Sequence, residues 1–278
     1  DIKGSLLVPS NSEKVSVVLI ISGSGPTDRN GNNPNMTNNS LMMLANELKK
    51  NGIASLRFDK RGIGESTSSG MQESDLRFED YVNDVKGWVD LLKESNKFSK
   101  IIVLGHSEGS LIGMIASQKA EVEKFISVAG AGNSAGDIIR EQLKAQPAVV
   151  LNQSLPIIEK LENGEREENV PQMLYALFRP SVQPYMISWF KYDPQIEIAK
   201  LNKPVLIVQG TTDIQVSVLD ADKLASANNK AQKQIIEGMN HILKEAEMDR
   251  LKNIQTYSMP DLPLKKPLIE IIVKFIEE

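Results

Sequence analysis

Residues 101–117 read Ile-Ile-Val-Leu-Gly-His-Ser-Glu-Gly-Ser-Leu-Ile-Gly-Met-Ile-Ala-Ser. The first four are apolar and mostly β-branched, the composition of a buried strand. From Gly109 onward, Leu111, Ile112, Met114 and Ile115 fall at helical spacing, and Gly109 and Gly113 keep one face thin. Between strand and helix lies Gly105-His106-Ser107-Glu108-Gly109, a G-x-S-x-G pentapeptide. A strand that turns at once into a helix has room only for glycine beside the turning residue. Such a turn lifts the Ser107 hydroxyl clear of the sheet and aims the next backbone N–H into the same space. The positive end of the helix lies behind it, where an acyl-transfer oxyanion forms. The pentapeptide alone also fits an ordinary tight turn; its place between a buried strand and an apolar helix selects the nucleophile.

Working outward, the chain alternates strand-like and helix-like segments. Residues 4–8 read as an edge strand, and Val15–Ile21 is a nearly continuous apolar run, as in a strand covered on both faces. Leu41, Leu44, Ala45 and Leu48 predict a helix stopped by Asn51-Gly52, and Ala54–Phe58 a further strand. Phe78, Val82, Val85, Val89 and Leu92 step through an amphipathic helix. Strands are expected at residues 125–129, 204–210 and 234–236, a helix at Val218–Ala227, and a last helix through Leu264, Leu268, Ile271, Ile272 and Phe275. This predicts an α/β fold, a mainly parallel sheet with helices on both faces. Residues 132–203 differ in texture: helical pattern, six prolines, and three of the five tyrosines. They are expected to form a helical cap inserted into a core made of residues 1–131 and 204–278.

With 278 residues, 41% of them hydrophobic, the chain can bury a full core as one large domain. A net charge of −4 without a Lys/Arg block argues against nucleic acid, and no apolar run reaches the roughly 18 residues of a membrane span. The absence of cysteine excludes disulfides and thiol catalysis. Localisation is open between cytoplasmic and, with a leader removed ahead of Asp1, periplasmic or secreted. Oligomeric state is not legible.

Ligands in such sheets bind beyond the carboxyl ends of the strands, and six polar clusters leave from that edge. A serine nucleophile needs a base, and the base an orienting carboxylate. Of two histidines, His106 lies inside the elbow and reads as packing, which leaves His241, after a late strand, as the base. Asp213, after the strand ending in Gly210, is the preferred carboxylate; Asp220 and Asp222 fall on a helix and are expected to face solvent. The order Ser, Asp, His is the one expected with an elbow nucleophile. The oxyanion donors are assigned to the backbone N–H groups of Glu108 and Ser24. Arg29 and Arg61 are candidates for binding a substrate carboxylate, or else tie loops together through neighbours such as Asp28 or Asp59. The residues present no Walker A or zinc-protease motif and no metal cluster, so no cofactor is expected.

Five motifs carry a resemblance: Ser22-Gly23-Ser24-Gly25-Pro26, Asp59-x-Arg61-Gly62-x-Gly64-x-Ser66, the Ser107 elbow, Gly210-Thr211-Thr212-Asp213 and Gly238-Met239-Asn240-His241. Together they resemble the α/β-hydrolase family, in particular bacterial esterase-like members related to the serine-aminopeptidase and acyl-hydrolase groups. Ser22 stands where many relatives carry histidine, so the oxyanion loop must be braced differently. The resemblance implies a serine hydrolase that cleaves a small-molecule carboxylic ester through an acyl-enzyme. Glu108 in the elbow also raises thioester chemistry, and a peptidase on the same triad is a further rival. A serine nucleophile argues against the aspartate-dependent epoxide and haloalkane reactions of this fold. A non-catalytic ligand-binding scaffold is the rival of another class, disfavoured because no member of the triad is missing. The cap aromatics predict either an apolar acyl or alcohol site or packing of the cap on the core.

Overall fold

Side chains alternate along β2 (Val15–Ile21): Val17, Leu19 and Ile21 enter one apolar cluster, Val18 and Ile20 another. A strand apolar on both sides belongs inside a sheet covered on both faces, and the computed structural model, which describes residues 1–10, 14–67 and 72–278, has that arrangement. The other strands are β1 (Gly4–Leu7), β3 (Ala54–Phe58), β4 (Phe98–His106), β5 (Lys124–Val128), β6 (Val205–Gly210) and β7 (Gln232–Ile236). They form one seven-stranded sheet in the order β1-β3-β2-β4-β5-β6-β7. β1 runs antiparallel to β3 at the edge, and every other pairing is parallel.

One face is covered by α1 (Ser40–Lys50) and α11 (Pro267–Glu277), through Leu41, Leu44, Leu48, Leu268, Ile272 and Phe275. The other carries α2 (Phe78–Glu94), α3 (Glu108–Lys119) and α9 (Val218–Ala227). The stretch 132–203 contributes α4 (Ala135–Leu143), α5 (Ala148–Glu162), α6 (Tyr175–Phe178), α7 (Gln183–Trp189) and α8 (Pro194–Ala199). Helices α4 to α7 enclose a third cluster of their own, including Ile139, Ile158, Leu161 and Phe178. By contrast Ile198 and Leu201, at the end of this stretch, pack into the sheet-side cluster. Prolines 184 and 194 sit in the first turns of α7 and α8, where a missing N–H costs nothing, and Pro156 is accommodated inside α5.

Several sequence expectations are corrected. Strand β7 begins at Gln232, because an exposed edge strand of polar residues shows no apolar run. Leu264 precedes the last helix, which starts at Pro267, and the short α10 (Arg250–Gln255) was not foreseen. Asp220 does not face solvent. It is buried and accepts from the backbone N–H groups of Ser217 and Gly132, both at 3.0 Å, so it caps α9 and ties it to the loop after β5.

Helix α3 approaches the sheet so closely that a Cβ on Gly109 would stand 2.5 Å from the Ile21 carbonyl oxygen and 2.7 Å from that of Ser22. Gly87, in the middle of α2, has nothing within 4 Å of its would-be Cβ. Gly109→Ala is therefore expected to lose roughly 1–3 kcal/mol, and Gly87→Ala to gain up to about 1 kcal/mol, in urea unfolding. Equal stabilities for the two variants would contradict the close approach.

Candidate active site

The turn from β4 into α3 holds Ser107 at φ 56° and ψ −122°, strained values for a residue with a side chain. Its flanking glycines permit this: a Cβ on Gly105 would stand 2.1 Å from the Gly109 carbonyl oxygen. The Ser107 N–H is tied to the Val128 carbonyl at 3.0 Å, which leaves the hydroxyl beyond the sheet edge. His241 follows β7, and its Nε2 lies 3.1 Å from Ser107 Oγ. Asp213 follows β6, with Oδ2 2.8 Å from His241 Nδ1. The three residues come from three separate strand ends and meet in one line.

Asp213 is held on all sides. Its Oδ1 accepts from the N–H groups of Gln215 and Val216 at 2.8 and 3.0 Å, and Gln209 Nε2 donates to Oδ2 at 3.1 Å. Burial pushes its carboxyl up, but the charge and hydrogen bond of His241 and the backbone donors outweigh this, and the net shift is downward. The His241 loop is braced by Asn240, whose Nδ2 donates to Thr256 Oγ1 at 2.8 Å and whose Oδ1 accepts from the Lys244 N–H at 3.1 Å. Asn253 ties α10 to the loop after β6 by donating to the Thr212 carbonyl at 2.8 Å. His106 points away from Ser107 Oγ: its Nε2 donates to the His241 carbonyl at 2.8 Å. Burial, reinforced by the adjacent His241, lowers the His106 pKa to about 4, so it stays neutral.

Ser24 and Glu108 both line the cavity beside Ser107, and among the described residues neither N–H is taken by a backbone partner. The Ser22 hydroxyl donates to the Thr27 carbonyl at 3.2 Å, and Thr27 Oγ1 to the Ser24 carbonyl at 2.8 Å. The remaining brace is Lys60, which sequence reasoning missed. Its side chain is 1% exposed, and its Nζ donates to the Gly23 carbonyl at 2.6 Å and to Glu108 Oε2 at 3.0 Å. The other Glu108 oxygen accepts from the Tyr185 hydroxyl of α7 at 2.7 Å. Burial, with the Glu108 charge next, raises the Tyr185 pKa well above its usual value and keeps it a donor.

The two arginines are committed to carboxylates. Arg29 pairs with Glu65 and lies 3.7 Å from Asp59, and it lines neither lobe of the cleft. Arg61 grips Asp84 with two hydrogen bonds of 2.7 and 2.6 Å, a partner the sequence did not single out, and borders the cleft. Asp59 and Ser66 knit their own loop: Asp59 accepts from the Arg29 and Glu65 N–H groups, and the Ser66 hydroxyl donates to the Asp59 carbonyl.

The cleft has two lobes. One, of about 290 Å³, is lined by Ser107, Leu111, Ile138, Ile139, Met186 and Trp189. The other, of about 660 Å³, is lined by Lys60, Arg61, Gln72, Glu73 and Tyr81. Both border on Gly25, Pro26, Glu108, Arg179 and Tyr185. Among the described residues no group of three His, Cys, Asp or Glu side chains is placed to hold a metal, and no helix is long and apolar enough to cross a membrane.

The chain is similar to several known proteins. Residues 35–172 match the family described as serine aminopeptidase, S33. Esterase EstD of Thermotoga maritima is 25% identical over 253 residues, 88% of this chain; the chain spans 58% of that relative's length. Among solved structures, Est1E from Butyrivibrio proteoclasticus with ferulic acid bound superposes with a TM-score of 0.67 at 18% identity, covering 100% of this chain and 96% of the other. The enol-lactonase from Burkholderia xenovorans LB400 gives 0.59, also at 18% identity, over 100% and 96% of the two chains. With these likenesses, the strand order and the flanking helices, the chain has the α/β-hydrolase fold.

Proposed function

We propose that this chain is a serine hydrolase that cleaves small carboxylic esters through an acyl-enzyme, with Ser107 as nucleophile, His241 as base and Asp213 as its orienting carboxylate. The observation that carries the reading is the hydrogen-bonded line Ser107–His241–Asp213 beside an apolar cavity. Ser107 Oγ attacks the ester carbonyl carbon while its proton passes to His241 Nε2. The carbonyl oxygen, now an oxyanion, accepts from the Ser24 and Glu108 N–H groups. His241 returns the proton to the leaving alkoxide as the C–O bond breaks. Water then repeats the sequence on the acyl-serine, which releases the acid and restores Ser107. These steps need no cofactor. Residues 1–131 and 204–278 act as the catalytic core and residues 132–203 as the cap, whose Ile138, Ile139 and Met186 offer an apolar wall to the acyl group.

The name of the matched family raises aminopeptidase activity. A free amino terminus needs an unpaired carboxylate in the cleft. Among the described residues lining either lobe the carboxylates are Glu73 and Glu108, and each already holds a cation, Arg179 and Lys60 respectively. The esterase names of relatives such as EstD favour esters further.

Ser107→Ala is expected to lower turnover of a p-nitrophenyl butyrate substrate by about 10³-fold or more while leaving the fold intact. A fluorophosphonate should label Ser107, and His241→Ala should lose the adduct. Full turnover by the purified, folded Ser107→Ala variant would overturn the assignment.

A second expectation concerns acid stability. His106 stays neutral in the fold down to about pH 4, whereas the unfolded chain takes up its proton near 6.5. Protonation therefore favours the unfolded chain, and stability drops as pH falls from about 6.5 to about 4. Between pH 7 and 4.5 this single group should account for roughly 2–3 kcal/mol. Urea unfolding at both pH values should show a loss smaller by that amount in His106→Asn; identical losses in both proteins would refute the buried neutral state.

A further inference from the structure

Lys60 has no part in the steps above, yet it is among the most thoroughly buried charges in the molecule. Its ammonium lies between two groups that each belong to one half of the oxyanion site. The first is the Gly23 carbonyl, 2.6 Å away. Gly23 C=O and Ser24 N–H are the two ends of one planar peptide, which is trans, as are all the described peptides, so they point in opposite directions. Fixing the carbonyl on Lys60 fixes the Ser24 N–H away from it. The second is the carboxylate of Glu108, 3.0 Å away, whose backbone N–H is the other donor. A Cβ on Gly23 would stand 3.1 Å from Ser107 Cβ, so this peptide lies directly against the nucleophile.

The buried pair is not an economical way to stabilise a fold. Taking a lysine and a glutamate out of water costs several kcal/mol per ion, and apolar residues of similar volume often serve as well. What an ion pair adds is direction. Here the Glu108 oxygens are both used, one by Lys60 and one by the Tyr185 hydroxyl at 2.7 Å, so its side chain is locked between β3 and α7. The ammonium also polarises the Gly23–Ser24 peptide and strengthens its N–H as a donor. The Lys60 side chain is itself braced by the face of Tyr81, whose ring centroid is 5.0 Å from Nζ.

We propose that Lys60 is the positioning residue of the oxyanion hole: shared between the Gly23 carbonyl and the Glu108 carboxylate, its ammonium holds the Ser24 and Glu108 N–H donors in one geometry. The inference rests on Ser107 being the nucleophile and on those two N–H groups being the donors. Lys60 makes no hydrogen bond to Ser107 and acts through the two residues it binds.

The test is steady-state hydrolysis of p-nitrophenyl butyrate by the whole protein and its Lys60→Met variant, with binding of a trifluoromethyl ketone as a second readout. The hemiketal of that ketone places an oxyanion on the same donors. Loss of one oxyanion donor typically lowers kcat by about 10²–10³-fold. Lys60→Met is expected to lower kcat by about 10²-fold with KM within about threefold, and to weaken the ketone by a similar factor. Should Lys60→Met fail to fold, because a carboxylate is left buried alone, the same measurements apply to Lys60→Met with Glu108→Gln, which removes both charges together. A folded variant that retains kcat and ketone affinity within about threefold would overturn the proposal. A loss confined to KM would do so as well, since it would place Lys60 in substrate binding. If instead the wild-type protein neither turns over the ester nor takes a fluorophosphonate on Ser107, the reading of the site itself falls, a result distinct from either of these.

Discussion

The structure depends on the lack of space where α3 begins. Gly105, Gly109 and Gly113 each lie so near a neighbour that a Cβ would have to displace it, at Gly109 the carbonyls of Ile21 and Ser22 themselves. This approach brings the amino end of α3 against the carboxyl ends of β2 and β4. It leaves Ser107 no conformation but the strained one at φ 56°. The loop after β2 is pressed against Ser107 by the same contact, which is why two N–H groups distant in sequence border one hydroxyl. Packing comes first here, and the site geometry follows from it.

Two hydrogen-bonded pairs then flank the serine, each excluded from water. On one side Asp213 holds His241; on the other Lys60 holds Glu108 and the loop after β2. On the proposed mechanism, attack creates positive charge on His241 and negative charge on the former carbonyl oxygen. The negative member of the first pair faces the imidazole, and the positive member of the second stands behind the Gly23–Ser24 peptide. The fixed charges are thus ordered in the sense in which charge separates during attack. Because they are held by packing and hydrogen bonds, little of that order has to be created as the reaction proceeds.

How much of this the sequence discloses depends on distance along the chain. The elbow is local: an apolar run, five residues and a helical repeat suffice to place Ser107. Asp213 and His241 follow strand ends, so each is visible as a polar turn after an apolar segment, although β7 itself is mostly polar and only its last three residues stand out in the sequence. Lys60 is different. It occupies a variable position in the Asp59-x-Arg61-Gly62 motif, and its partners Gly23 and Glu108 lie 37 and 48 positions away. Nothing local marks it, though its place at the end of β3 on the shared sheet edge was a usable signal. Asp220 failed for the opposite reason. Helical spacing suggested solvent, but a residue in the first turn of a helix is the one recruited to satisfy free N–H groups.

Residues 132–203 show how a stretch can have its own apolar cluster and still be fixed to the sheet. Consecutive residues on α7 divide the work: Tyr185 belongs to the sheet-side cluster and Met186 to the cluster enclosed by α4 to α7. The rings of Trp189 and Phe78 stack with planes 3° apart, and the Phe78 N–H donates to the Ser188 hydroxyl at 2.8 Å. Tyr192 reaches Glu79 at 3.0 Å, and Arg179 pairs with Glu73. The aromatic residues of this stretch therefore pack on the core, through stacking and hydroxyl contacts that run to α2 and the turn before it, and Tyr185 and Trp189 also line the cleft. Because Tyr185 also donates to Glu108, α7 is tied to the same buried ion pair that holds the loop after β2. Displacement of α7 would cost the elbow one of its braces, so enclosure of the cleft and geometry at Ser107 are set together.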